Sequence, residues 1–514
     1  MFEPTFAPRT ARREVVWLVA GVLVASVVLA SSVLRVWQFT VDDAFITLRY
    51  SRNVAEGIGP TFNAMGPRAE GYTSLLWMLV LVVPHRLGVD ALTVAKGISV
   101  AATFATLSVV VRWAWSHVRA AGVARGAAAW AGAAAAVGFA ALPSTAIHAV
   151  SGMETPLFTL LLTAMLATAA GVVRGEEKAT NRLVVLALLV GLTRPEGNLA
   201  ALAAIAMTAV LVPRAPRMTL ALCAAVVWIL PMGAYELWRR GYYGLLFPLP
   251  FYVKLNTPGL LPGWPSVRDY LCGPVLHFGL LLVPALVRPA RSLWPMLAAL
   301  AALIAFFVLP QHLMGYEHRY LAPLDPSLDV LAGVGLARVV ALATRVPAAI
   351  KSSAAIALLG VGVGLEIADA RGHLAGWAAY GDSLARAHER LGRDLLALEM
   401  PEGRLAISDA GAVPYLSRWW TLDMIGLNDA AIATTGRRDP ASILGQRPDV
   451  VVLVSRRADG FEFAEWSPWE APLFDACAAA GFVTVGAPRR FADNYWLWVL
   501  ARAGTKTARG LADR

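Results

Sequence analysis

The chain has 514 residues, of which 57% are hydrophobic and 16% charged, and a formal net charge of +10. A mean hydropathy of +0.58 over that length excludes an ordinary soluble globular protein and implies a polytopic α-helical membrane protein. The positive balance comes from arginines dispersed between apolar spans, so it reads as a topology signal and not as a nucleic-acid footprint. Cys223, Cys272 and Cys477 lie far apart without C-x-x-C spacing, which indicates neither a zinc site nor a disulfide framework.

Residues 1–14 form a basic tail with Arg9, Arg12 and Arg13. Val15–Leu34 then runs without a charge for long enough to span, and is expected as an uncleaved first helix. With the arginines held in the cytoplasm, the segment VDDAFITLRY, Val41–Tyr50, emerges on the opposite side. It opens a first external loop, 38–90, carrying the turn signals Gly59-Pro60 and Gly66-Pro67. Leu75–Val83 is apolar but too short to cross, so a re-entrant or juxtamembrane helix is expected there.

Further spans are expected near Ala91–Val111, Gly126–Leu142, Pro156–Val173, Leu183–Leu192, Leu199–Val212, Thr219–Leu237, Val275–Val287, Leu293–Leu309, Leu328–Leu342 and Ser353–Ile367. They bring the transmembrane domain, 15–368, to about 11 crossings. Alternate connections hold Arg112/Arg119/Arg125, Arg174/Lys178/Arg182, Arg214/Arg217, Arg288/Arg291 and Arg345/Lys351. All are short and basic, as cytoplasmic loops should be. The odd number of crossings places residues 369–514 outside as a soluble α/β domain. It has an amphipathic helix at Asp382–Glu399 and strands at Arg404–Ser408, Val450–Ser455, Phe482–Val485 and Tyr495–Val499.

This topology collects the polar motifs on one face. Ser151–Thr155 (SGMET), Thr193–Gly197 (TRPEG), Tyr242–Asn256 and Tyr316–Tyr320 (YEHRY) join Asp42 and Asp43 on the outer side. A transporter would place polar groups near the bilayer midplane on broken helices, so the one-sided pattern favours an enzyme working at the outer boundary. Adjacent carboxylates at a membrane edge are candidates for catalysis, and one can serve as general base for a hydroxyl. Arg194, Arg319 and Lys254 suit the oxygens of a departing phosphate. Among substrate-binding candidates, Glu154 and Glu196 compete with helix capping beside Pro156 and Pro195. Arg49 competes with neutralisation of the acid pair, Tyr50 with interfacial anchoring, and His318 and Glu317 belong to the dense YEHRY cluster. Asp409, Asp423, Asn428 and Asp429 either shape the acceptor side or cap turns. Paired carboxylates are compatible with a divalent cation, but no complete ligand set is visible.

The ordered series VDDAFITLRYSRNVAEGIGPTFN, AEGYTSLLW, SGMET, TRPEG, the YYG and K-L-N loop, EHRYLAPLDP, and DAGAVPYLS with LDMIGLND resembles the actinobacterial terminal β-(1→2)-arabinofuranosyltransferases. These are polyprenyl-phosphate-sugar-dependent enzymes of the GT-C fold, and the resemblance runs from about Trp37 to Val454. It implies a catalytic aspartate in the first external loop, at Asp42 or Asp43, and a decaprenyl-phospho-arabinofuranose-type donor used at the outer face of the bacterial cytoplasmic membrane in cell wall biogenesis. Glu70, in AEGYTSLLW, joins the substrate-binding candidates. A glycan or glycoconjugate supplies the acceptor hydroxyl. The resemblance also implies retention of configuration, under which the aspartate would orient the acceptor while the phosphate takes the proton. Two alternatives share the pattern: a mannosyl or protein O-glycosyl transferase of the same scaffold, and a transporter of a lipid-linked substrate.

Overall fold

In the computed structural model, residues 9–122, 125–255, 259–273, 275, 279–342 and 372–512 are described. Helix α1 (Arg9–Arg35) is the expected first span, and it packs against α5 (Arg125–Ala141). After four residues without regular structure beyond Trp37, α2 (Asp42–Ala55) begins directly on the acid pair, where two carboxylates complement the positive end of the helix dipole. Helix α3 (Leu75–Arg86) starts at Ser74, whose side chain accepts the Trp77 amide at 3.4 Å. It has 12 residues, too few to cross a bilayer alone. Asp90 caps α4 (Ala91–Ala120) in the same way, at 3.0 Å from the Thr93 amide.

Pro143 cannot continue α5, so the chain bends by 61° into α6 (Pro143–Val150). Then follow α7 (Thr155–Val173), α8 (Ala179–Thr193), α9 (Glu196–Leu211) and α10 (Arg214–Tyr243), the last carrying a π turn at Ala225–Ile229. Among the described residues the helices that follow are α11 (Leu249–Leu255), α12 (Trp264–Cys272), α13 (Gly279–Leu286), α14 (Trp294–Phe307) and α15 (Asp325–Leu342). Among the described residues four helices are individually long and apolar enough to cross a bilayer, five with the bent α5–α6 pair, beside four shorter apolar helices. The expected span Ser353–Ile367 and residues 276–278 of the expected span Val275–Val287 lie outside the described residues.

The C-terminal unit is an α/β sheet domain preceded by α16, residues 372–396. Its strands are β1 (Arg404–Ile407), β2 (Trp420–Asp423), β3 (Val450–Ser455), β4 (Phe482–Thr484), β5 (Arg489–Ala492) and β6 (Tyr495–Arg502). The order is β2-β1-β3-β6-β4, with β5 also on β6. β1 pairs in parallel with β2 and β3, whereas β6 pairs antiparallel with β3, β4 and β5. Every residue of β3 is buried, as a strand covered on both faces should be. β2 and β5 escaped the sequence reading: WTLD contains one β-branched residue, and RRFA is half charged.

This domain sits directly on α2. The Arg49 guanidinium donates to the carbonyls of Phe62 (2.7 Å), Pro414 (2.7 Å) and Trp419 (2.8 Å), and Arg52 Nη1 donates to Tyr415 O at 2.6 Å. Asn63 pairs with the Thr421 backbone through both ends of its amide, at 2.9 Å each. The loop after α2 and the sheet domain therefore clasp the helix that bears the acid pair.

Candidate active site

The two adjacent acids point to different places. Asp42 accepts the backbone amides of Gly411 (3.0 Å) and Ala412 (2.8 Å), at the start of α17 (Ala412–Ser417) in the DAGAVPYLS motif. Gly411 is required there, because a Cβ would overlap the Asp42 backbone oxygen and carboxylate. Burial pushes the Asp42 carboxyl up to about 6; Asp409 adds to the rise and His388 opposes it. His388 and Tyr495 hold Asp409 from behind, at 2.8 and 2.6 Å. Asp42 is thus a link between α2 and the sheet domain.

Asp43 faces the opposite way, into a cavity. Its Oδ2 lies 3.3 Å from Arg319 Nη1. Arg319 Nη2 also donates to Tyr320 Oη at 3.0 Å, and Lys254 Nζ donates to the same oxygen at 2.9 Å. The Tyr320 hydroxyl in turn donates to Leu313 O at 2.6 Å. Burial alone would raise the Tyr320 phenol, but the two cations beside it bring it below its ordinary value. Arg194, 3% exposed, is held by Glu154 Oε1 (2.8 Å) and Thr155 Oγ1 (2.8 Å), approaches Glu196 at 3.8 Å, and reaches the Arg319 carbonyl at 3.4 Å.

These groups border two adjoining cavities of about 90 and 70 Å3. Thr73, Met153, Glu154, Pro250, Lys254, Arg319 and Tyr320 line both. The first adds Arg194, Glu196 and an apolar wall of Phe251, Leu255, Phe306 and Phe307. The second adds Asp43, Thr47, Tyr72, Ser74 and Leu427. One end is therefore cationic and opens against aromatic side chains, and the other carries a carboxylate among hydroxyls. Among the described residues no group of three or more His, Cys, Asp or Glu is placed to hold a metal ion.

Of the sequence candidates, Asp43, Arg194, Arg319, Lys254, Glu154 and Glu196 converge on these cavities. The others stand elsewhere. Arg49 binds carbonyls in the clasp described above. The Tyr50 hydroxyl accepts the Gly71 amide at 2.7 Å and lies 3.2 Å from Asn428 Oδ1. Glu70 is buried 3.3 Å from Arg239, and its burial raises it to about 8 against the opposing pull of that arginine. Glu317 Oε1 accepts from Trp377 Nε1 (2.7 Å) and His373 Nε2 (2.5 Å) on α16, while the His318 ring packs edge-on against Tyr270. Asp423 accepts the amides of Ile425, Gly426 and Asn428 and so organises a turn, and Asp429 accepts that of Ile432 and so caps the short helix Ala430–Thr435. Sequence reading passed over Tyr320 and Thr73 as site residues, although Tyr320 adjoins Arg319 and Thr73 lies in AEGYTSLLW. Phe306 and Phe307 gave no signal distinct from an apolar helix end.

Comparison with known proteins bears on both domains. A family model described as a domain of unknown function (DUF8728) matches residues 378–498, the sheet domain. The terminal beta-(1->2)-arabinofuranosyltransferase of Corynebacterium glutamicum is 30% identical over 282 residues, covering 49% of this chain and 38% of the relative. The enzyme of the same name from Mycobacterium tuberculosis is 33% identical over 226 residues, covering 41% and 34%. The matches thus span little more than a third of each curated relative. Crystal structures of ArnT from Cupriavidus metallidurans, one bound to undecaprenyl phosphate and one in the apo state, superpose with a TM-score of 0.59 at 16% identity. They cover 95% and 97% of this chain and 98% of each ArnT chain. The chain has the GT-C-type fold of a polytopic membrane protein, and the resemblance read from its ordered motifs is borne out.

Proposed function

We propose that the chain is a membrane glycosyltransferase that moves a sugar, D-arabinofuranose, from a polyprenyl-phosphate donor to a glycan hydroxyl on the outer face of the cytoplasmic membrane. The observation that carries the reading is the convergence of Arg194, Lys254 and Arg319 on a cavity with an aromatic wall on one side and Asp43 on the other. A lipid phosphate needs both halves of that arrangement: guanidinium and ammonium groups for its oxygens, and an apolar lane for its chain. The arabinofuranosyltransferase relatives supply the sugar, and the ArnT complex supplies the precedent for a polyprenyl phosphate in this fold.

In the reaction the acceptor oxygen forms a bond to the anomeric carbon as the bond from that carbon to the phosphate oxygen breaks, and polyprenyl phosphate departs. Arg319 and Lys254 meet the charge that develops on phosphate, and Arg194 is braced by Glu154 for the same task. Asp43 accepts the hydrogen bond of the acceptor hydroxyl. If configuration inverts, the proton ends on Asp43. If it is retained, as the resemblance implies, the phosphate takes it and Asp43 orients the acceptor. The short basic loops expected between spans support a reading with the amino terminus inside and residues 369–514 outside.

The testing experiment is transfer of labelled arabinose from a synthetic polyprenyl-phospho-arabinofuranose to arabinoside acceptors by the purified protein, with polyprenyl-phospho-mannose as competitor. Transfer of arabinose supports the assignment. Transfer of mannose alone moves it to another sugar on the same scaffold.

A further inference from the structure

A separate cavity, bordered by hydroxyl, imidazole and carboxyl side chains as well as apolar ones, lies inside the membrane domain, at the break between α5 and α6. It is small, about 20 Å3, with room for one water-sized occupant. Its lining comes from five helices and includes Thr103 and Thr106 of α4, Phe139 of α5, His148 of α6, Thr159 of α7 and Asp325 of α15.

Three of the six hydroxyl groups in this lining have committed their protons. Thr103, Thr106 and Thr159 donate their hydroxyl protons to the carbonyls of Ser99 (2.8 Å), Ala102 (2.9 Å) and Thr155 (2.8 Å), four residues back in their own helices. What each hydroxyl retains is lone pairs. His148 Nε2 faces Glu317 O at 3.1 Å; a carbonyl only accepts, so that nitrogen carries the proton and Nδ1 is a bare acceptor in the neutral ring. His148 is 4% exposed, and its Nδ1 has no partner among the described residues. Pro143 lacks the N–H that would bond the Phe139 carbonyl in a continuous helix.

The charges in this region point the same way. Asp325, 4% exposed, receives one hydrogen bond from Tyr270 Oη at 2.6 Å, and no cation pairs with it among the described residues. One turn along α15, Asp329 is 1% exposed with neither carboxylate oxygen partnered among the described residues. Two carboxyls buried inside a membrane domain must each be neutralised, by a retained proton or by a bound cation. Oxygen ligands at a broken helix inside a membrane are a recurrent way of holding a small dehydrated cation.

We propose that this cavity is a binding site for one dehydrated monovalent cation of sodium size, taken by the Asp325 carboxylate together with the lone pairs of the threonine hydroxyls and His148 Nδ1. The site braces the phosphate-binding end of the active site. Thr155, in the lining, holds Arg194, and His148 holds the backbone of the loop that carries Arg319. Only this bracing role rests on the proposed donor; the ion site itself does not.

The test is thermal unfolding of the purified full chain in nanodiscs, in NaCl against choline chloride at equal ionic strength. Sodium is expected to raise Tm along a saturating curve. Asp325→Asn, and independently the near-isosteric Thr106→Val, should raise the half-saturating sodium concentration by about ten-fold or more, while Thr168→Val, which is outside the cavity lining, leaves it unchanged. Absence of a sodium-specific shift in the unmutated protein overturns the proposal. So does labelling of Asp325 by a hydrophobic carbodiimide in sodium buffer, since that reagent requires a protonated carboxyl. Because no donor is added, failure here leaves the glycosyltransferase reading standing, and failure of transfer leaves this one standing.

Discussion

Arg319 Nη1 stands 3.3 Å from Asp43 Oδ2, across 276 positions of chain, and joins the carboxylate at the head of α2 to the cations of Arg194 and Lys254. The pair places the acid and the cations proposed to bind phosphate in one continuous site. Arg194 has its own buried partner in Glu154, at 2.8 Å. Removing that partner by Glu154→Gln leaves a guanidinium desolvated without its counter-charge, at a cost of about 3–5 kcal/mol. The expected result is a fall in Tm together with weaker donor binding, whereas Glu196→Gln, at 3.8 Å, changes donor binding with little effect on Tm.

The aromatic wall is expected to serve the lipid and not the sugar. Phe251, packed against Phe306 with ring centroids 6.5 Å apart, lines the cationic cavity. Phe251→Ala should raise KM for a long-chain polyprenyl donor by roughly ten-fold or more, since burying an aromatic side chain is worth about 1.5–3 kcal/mol. The same variant should leave KM for a donor with a short alkyl chain nearly unchanged. Steady-state kinetics with the two donors check this.

Docking of the sheet domain depends on the close approach of Gly411 to Asp42. Gly411→Ala places a methyl group where the Asp42 carboxylate and backbone oxygen lie. A loss of about 1–3 kcal/mol is expected from the forced separation. Thermal unfolding of the full chain should show it. Arg49→Met removes the hydrogen bonds to the carbonyls of Pro414 and Trp419 and is expected to act in the same direction.

Glu470 gives the sheet domain a pH dependence. Its carboxyl is wholly buried, accepts from Ser408 Oγ at 2.5 Å and Val454 N at 2.6 Å, and is pushed by burial from 4.5 up to about 8. A carboxyl raised in the folded state binds its proton more tightly there than in the unfolded chain. Its stabilising contribution is therefore complete below about pH 4.5 and is lost as pH climbs through about 8. Glu470→Gln, which cannot ionise, should flatten the fall in Tm over that window.

Much of this arrangement was legible because membrane residence writes itself into composition. The apolar runs located α1, α4 and α7, and the polar motifs held Asp43, Arg194, Lys254 and Arg319, which the fold brings together, without knowledge of contacts. The division of labour between Asp42 and Asp43 was not legible. Adjacent residues at a helix start differ by about 100° in direction, and what each meets is set by DAGAVPYLS, some 370 residues later. Arg49, Tyr50 and Glu317 share the polar motifs of the site for the same reason: the loops that build a site must also be fastened, and charge type alone does not distinguish the two tasks. Thr73 and Phe306 enter only through the fold.

The measurement that bears most directly on the account is transfer by Asp43→Asn beside Asp42→Asn, each checked for intact folding by thermal unfolding. With Asp43 facing the cavity and Asp42 bound to the amides of Gly411 and Ala412, Asp43→Asn should lower kcat by about 100-fold or more at temperatures where it is folded, beside whatever Tm it loses with the Arg319 pair. Asp42→Asn should lower Tm and retain most of the turnover at temperatures where it is folded. Loss of turnover in a folded Asp42→Asn, with Asp43→Asn still active, would contradict the account and exchange the two roles.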